Sequence, residues 1–202
     1  MVGLQKVLTR LASDLKALER RWALVGGLAV SARAEPRTTR DLDVAIAVDD
    51  DRDAERLVAA LRDRGYSIQA LLEQEVTGRL ATVRLLAPGE EPGGVIVDLL
   101  FASSGVEPEI VEAAELLDIL PTLVVPVVTL GHLLALKTLA ARAKDLADIE
   151  CLLEQASASD VGEARSLLKV IQARGCARNK DLLAEFSEVA ARHGVGRDGE
   201  PS

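Results

Sequence analysis

Every segment of strand character in this chain lies before residue 128, and everything from Thr129 onward is helical in character. Strands early and helices late imply an α+β fold: a sheet flanked by helices, followed by a C-terminal helical bundle. The expected spans are a sheet domain with an N-terminal helix over 1–128, a helical region over 129–193 and a disordered tail over 194–202. Leu4, Val7, Leu8, Leu11, Leu15 and Leu18 recur at helix spacing in the first segment. WALV (22–25), DLDVAIAV (41–48), YSIQALL (66–72), RLATVRLLA (79–87) and GVIVDLLFA (94–102) read as strands. Residues 49–65 read as a capped amphipathic helix ending at Gly65, and the turn-rich PGEEPGG (88–94) predicts a hairpin between the strands it joins. The pattern EPEIVEAAELLDIL (107–120) predicts a helix, with an extended LVVPVV piece after it. Past Thr129 one long helix is expected to lead into amphipathic segments near 160–174 and 180–193.

Aromatics make up 2% of the chain, so the core must be built from Leu, Val, Ile and Ala, and Trp22 and Tyr66 are expected as packing residues. Lys and Arg number 24 against 32 Asp and Glu, a net charge of −8 that opposes general nucleic-acid binding. Charges, Gly and Pro interrupt each apolar run before it reaches membrane-spanning length, and the first segment lacks a signal-peptide core. Cys151 and Cys176 match no zinc spacing, and Cys151 is expected as a buried free thiol. Together these place the chain in a reducing cytoplasm, away from membranes.

The chemistry concentrates in three acids. Residues two apart on a strand share a face, so Asp41 and Asp43 project together with Ala45 and Ala47, while Leu42, Val44, Ile46 and Val48 take the core side. Asp98 interrupts the apolar run VIVDLLF, where an unpaired carboxylate is expensive to bury, and a cation is the simplest compensation. Were its strand to lie beside 41–48, about 4.8 Å away, three carboxylates would converge. Such hard oxygens suit Mg²⁺, and a pair of ions could clamp the oxygens of a phosphoryl displacement. The bland alternative is that acids at a strand start cap a turn. Gly26-Gly27, between a strand and a short helix (LAVSARA), either lets a ligand approach the backbone or is a plain turn. Arg33, Arg37 and Arg40 precede the acids and either neutralise phosphates or sit solvated in a loop.

The full stretch LVGGLAVSARAEPRTTRDLDVAIAV resembles the signature of the polymerase-beta-like nucleotidyltransferases, in which a Gly-Gly or Gly-Ser pair precedes an Asp-x-Asp. It is most similar to the abortive-infection (AbiEii/AbiGii-type) toxin nucleotidyltransferases, and the likeness spans roughly residues 20–155. Gly27 stands where many relatives have Ser, so backbone groups alone serve there. The resemblance implies a nucleotidyltransferase-type mixed sheet, with Asp41, Asp43 and Asp98 as catalytic metal ligands for Mg²⁺ or Mn²⁺. It further implies Gly26, Gly27, Arg40, Lys137, Lys144 and Asp148 as nucleotide-binding residues. On one continuous helix Lys137, Ala141, Lys144 and Asp148 fall on a single stripe, with Asp148 positioning Lys144 and Asp145 as a helix-start acid; the plain alternative is a surface ion pair. His132 and His193 have no partner at a suitable spacing and are assigned no chemistry.

The implied activity moves a nucleoside monophosphate from an NTP to an acceptor hydroxyl and releases pyrophosphate. The acceptor is tRNA or another cellular target, in a toxin paired with an antitoxin. Two alternatives stand beside it: a small-molecule enzyme acting on an aminoglycoside- or lincosamide-like drug, whose charge an acidic cleft would suit, and a non-catalytic nucleotide-binding or interaction module on a degenerate form of the fold.

Overall fold

The computed structural model describes residues 2–193 apart from Arg37, Glu75, Val76, Pro92, Pro121 and Thr122, and gives the backbone alone for Val2 and Leu120. The tail expected to be disordered and Arg37 lie outside the described residues. Seven strands form one mixed sheet: β1 (Trp22–Val25), β2 (Asp41–Ile46), β3 (Ser67–Glu73), β4 (Leu80–Leu86), β5 (Ile96–Leu100), β6 (Glu115–Leu120) and β7 (Leu123–Val127). Their order is β3-β4-β5-β2-β1-β7-β6. β2 runs parallel to β5 and antiparallel to β1, while β1 runs parallel to β7. The expected hairpin between β4 and β5 forms.

The sheet has two chemically different faces because each strand alternates. On one side Leu42, Val44 and Ile46 of β2 lie beside Leu24 of β1 and Val97 and Leu99 of β5, all fully buried. Truncating any of these leucines to alanine should cost about 2–5 kcal/mol. Helices α1 (Val2–Ala17) and α3 (Asp51–Asp63) contact strands β2 and β4, and the apolar stripe Val7, Leu8, Leu11 and Leu15 of α1 belongs to the same core. The other face carries Asp41, Asp43, Asp98 and Arg84. Short α2 (Gly26–Arg33) leaves β1 directly, two residues earlier than its apolar pattern suggests.

Two expectations fail. Residues 107–120 are a short helix, α4 (Glu107–Glu112), followed by strand β6, which pairs antiparallel with β7. Leu117 and Ile119 turn inward while Leu116 and Asp118 are exposed, the alternation of a half-buried edge strand. The same apolar residues also fit a helical period, and long-range pairing decides between the two. The helix after Thr129 breaks as well, into α5 (Leu130–Ala140) and α6 (Ala143–Leu153). Ala141 adopts the left-handed region at φ 47°, and Arg142 then starts a new helix whose third position, Asp145, caps it. Helices α7 (Ala158–Ala173) and α8 (Leu182–Arg192) complete the chain, and all four helices contribute to the apolar cluster that the sheet shares. No helix among the described residues is long and apolar enough to cross a membrane.

Candidate active site

Register brings the acids together. In the parallel pairing of β2 with β5, Asp43 stands directly opposite Asp98 and Asp41 opposite Ile96. Neighbouring strand backbones are about 4.8 Å apart. Two residues along β2, Asp41 shares their face. The rung continues outward, because Arg84 of β4 is the antiparallel partner of Asp98 and Val25 of β1 is that of Asp43. These residues floor a cleft of about 400 Å³ whose lining also includes Gly26, Gly27, Lys137 and Lys144.

Gly26 explains how Asp43 fits. Its φ of 66° is in the left-handed region, and a Cβ there would collide with the Asp43 carboxylate. The carboxylate thus lies against the first turn of α2 and accepts a hydrogen bond from the Gly27 N–H. In this state Gly27 serves an acid of the chain itself. Burial, then the charges of Asp98 and Asp41, push the Asp43 carboxyl above the ordinary range, against the opposing pull of Lys137.

Asp98 is 7% exposed, and its compensation is Arg84. The guanidinium forks both carboxylate oxygens, Nε to Oδ1 at 2.8 Å and Nη2 to Oδ2 at 2.7 Å. That bond with Asp98 raises the Arg84 pKa further. Sequence reasoning missed Arg84. Its signal was available, since a charged residue in RLATVRLLA faces VIVDLLF across an expected hairpin. Among the described residues no group of three or more His, Cys, Asp or Glu side chains is placed so that it could hold a metal ion as it stands.

Above the sheet, the break between α5 and α6 rearranges the lysines. Lys137, 4% exposed, holds Asp145 at 3.1 Å and Asp148 at 2.8 Å. Asp148 therefore positions Lys137, whereas an unbroken helix would have given it to Lys144. Asp145 also receives the Arg142 guanidinium at 2.7 Å. Burial alone would raise its pKa, but hydrogen bonds from Arg142 and Lys137 overcome this and hold it at about 2. Lys144 is exposed at the cleft. Arg40 is exposed and outside the cleft lining, and Arg33 is tied away by bonds to the Val128 carbonyl at 3.0 Å and to Glu115.

The mixed sheet with its acidic rung under a cleft superposes on solved structures of nucleotidyltransferases and a nucleotidyltransferase-like protein. An antigenic nucleotidyltransferase-like protein from Paracoccidioides brasiliensis superposes with a TM-score of 0.54 at 20% identity, covering 92% of each chain. The solution structure of the antibiotic-resistance factor ANT(2'')-Ia gives 0.56 at 14% identity, over 85% of this chain and 92% of that one. Its crystal structure in complex with adenylyl-2''-tobramycin gives 0.55 at 13%, over 85% and 99%. No curated protein sequence matches significantly. Residues 8–196 match the family described as nucleotidyl transferase AbiEii toxin, Type IV TA system. The chain belongs to that family and is a nucleotidyltransferase.

Proposed function

We propose that this enzyme is metal-dependent and transfers a nucleoside monophosphate from an NTP to an acceptor hydroxyl, with release of pyrophosphate. The observation that carries this reading is the pairing of Asp43 with Asp98 in register, with Asp41 on the same face, at the floor of a cleft lined by Gly26 and Lys137. The donor set fits a hard divalent cation: among the described residues three carboxylates face one guanidinium, and burial together with its two acidic neighbours destabilises the Asp43 carboxyl as an anion. Asp98 would have to share or release Arg84. Mg²⁺, or Mn²⁺ in its place, would be held by Asp41, Asp43 and Asp98 and would supply charge neutralisation at the phosphates.

The chain's own residues do the rest by position and charge. Lys144, exposed at the cleft, meets the triphosphate, and Lys137, fixed by Asp145 and Asp148, adds positive potential beside Asp43. Gly26, having no side chain, lets the Asp43 carboxylate stand against the start of α2 at the floor of the cleft. Asp98 takes the proton of the attacking hydroxyl as the new oxygen–phosphorus bond forms and the bond to the departing pyrophosphate breaks. Arg40 acts from the flank of the cleft. Membership of a Type IV toxin–antitoxin family supports a cognate antitoxin as partner, and the acceptor of this proposal is a cellular target, tRNA among the candidates.

Incubating the protein with Mg²⁺, each α-labelled NTP and a whole-cell extract tests this reading. Label should enter RNA, protein or a small molecule with the wild type and not with the Asp41→Asn, Asp43→Asn double variant. Label in a small molecule would replace the toxin reading by a drug-modifying one. Transfer that persists in the double variant would overturn the assignment of these acids.

A further inference from the structure

The stretch that leaves β5 carries a second carboxylate of the cleft wall. Glu107 is 2% exposed and lines the cleft together with Ser103 and Ser104. One of its oxygens is clamped: Oε1 accepts from the Ser104 backbone N–H at 2.7 Å and from Ser104 Oγ at 2.9 Å. Its other oxygen, Oε2, is enclosed, and no donor among the described residues bonds to it. Arg174 is close enough to feel the charge, but its guanidinium is already committed to the Gly105 carbonyl and to Glu109. A buried acceptor without a partner is unfavourable by about 1–3 kcal/mol or more, and folded proteins keep few of them. The clamp through Ser104 removes the freedom by which the side chain could turn its bare oxygen elsewhere.

We infer that Glu107 is a substrate-binding residue of the transfer site, whose Oε2 is uncovered when a molecule enters the cleft and accepts a hydrogen bond from an N–H or O–H donor of that molecule. The inference rests on the nucleotidyltransferase reading and adds a contact that none of the three acids on the sheet provides. A carboxylate oxygen only accepts, so the group it meets is a sugar hydroxyl or an amine, amide or base-edge N–H. A phosphate would be repelled. Glu107 thereby divides the cleft by chemistry, with phosphates directed towards Lys144 and a donor-bearing sugar, base or amino group towards Ser104. Both the nucleotide and the acceptor carry such donors, and experiment separates them.

Glu107→Gln is the sharpest test, because the amide oxygen can keep both Ser104 bonds while an NH₂ donor takes the place of Oε2. Three quantities are compared with the wild type: the Kd for each α,β-methylene NTP with Mg²⁺ by calorimetry, and kcat and KM for the acceptor found by labelling. A lost hydrogen bond to a charged group predicts a weakening of roughly 10- to 100-fold in Kd or KM, with kcat changed much less. Weaker nucleotide binding assigns the donor to the NTP; a raised KM with unchanged nucleotide Kd assigns it to the acceptor. Wild-type values for both Kd and KM would overturn the inference while leaving the transfer reaction intact. A wild type that neither binds nor transfers any NTP would instead remove the underlying reading, and this one with it. Should Glu107→Gln fail to fold in a thermal melt, Ser104→Ala, which only loosens the clamp, must raise the same Kd or KM by a smaller factor, and no rise at all would be equally fatal.

Discussion

Two clusters of charge meet in the same cleft and are built on opposite principles. On the sheet, among the described residues, Asp41, Asp43 and Asp98 are set against Arg84, three negative charges against one positive. At the junction of α5 and α6, Lys137 and Arg142 are set against Asp145 and Asp148, two against two. The junction closes on itself: its buried acids each have a buried or forked cation, and the Asp145 carboxyl is held as an anion. Among the described residues the sheet cluster does not close, and burial plus like charge drive the Asp43 carboxyl the other way. A balanced buried network is a structural device, whereas an unbalanced acidic one calls for cations from outside. Substitutions should therefore separate activity from stability according to the cluster they touch.

The largest effect is expected from Asp43→Asn. Transfer activity should fall by about 10³-fold or more, as when a principal electrostatic group of a reaction is removed. Its melting temperature should hold or rise, since the substitution relieves a crowded anion. Lost stability with retained transfer would make the sheet cluster the structural one. Lys137→Met should show the reverse emphasis in urea unfolding. It removes the buried ammonium that Asp145 and Asp148 share and leaves Asp145 to Arg142, and the loss should be about 3–5 kcal/mol. A change below about 1 kcal/mol would mean that the junction is no network at all.

Acid provides a smaller and independent probe of the junction. The folded-state pKa of Asp145 is about 2, below its ordinary 3.8. A depressed carboxyl contributes stability that is present above the unfolded pKa and is lost as pH falls through the folded one. The advantage of the wild type over Asp145→Asn attributable to this titration is on the order of 2 kcal/mol. It should be complete at pH 5 and fade between about pH 4 and pH 2, as followed by thermal melts of both proteins. A difference independent of pH over that window would assign the Asp145 contribution to packing.

How much of this could be read beforehand follows the same division. The sheet cluster was legible because its signals are local: alternation in DLDVAIAV, an acid inside VIVDLLF, a glycine pair at a strand end. Even Arg84 was within reach through the hairpin that joins its strand to that of Asp98. The junction was not legible, because nothing in LKTLAARAKDLADI marks a break. Ala141 adopts a conformation that glycine usually takes, and only packing with α2, α7 and α8 explains why the chain turns there. Strand β6 was lost for a related reason. Leu116 to Leu120 carry apolar residues at spacings that serve a helix as well as an edge strand, and the partner that decides, β7, owes its own place to pairing with β1.

The smallest effect sharpens the comparison most finely, because Lys144 stands between the two clusters and belongs to neither. An unbroken helix would have given it to Asp148, and the turn at Ala141 hands that acid to Lys137. Lys144 is exposed, lines the cleft, and makes no ion pair among the described residues. Lys144→Ala should therefore change unfolding free energy by less than about 0.5 kcal/mol, in contrast to Lys137→Met. An exposed ammonium meeting a triphosphate is still worth a few-fold in affinity, and that increment should shrink as salt screens it. The expected result is a KM for the NTP raised about three- to ten-fold at low ionic strength, roughly 1 kcal/mol, converging on the wild type near 0.5 M salt. A large loss of stability would return Lys144 to the junction network, and an unchanged KM would leave phosphate binding to Lys137 and the sheet.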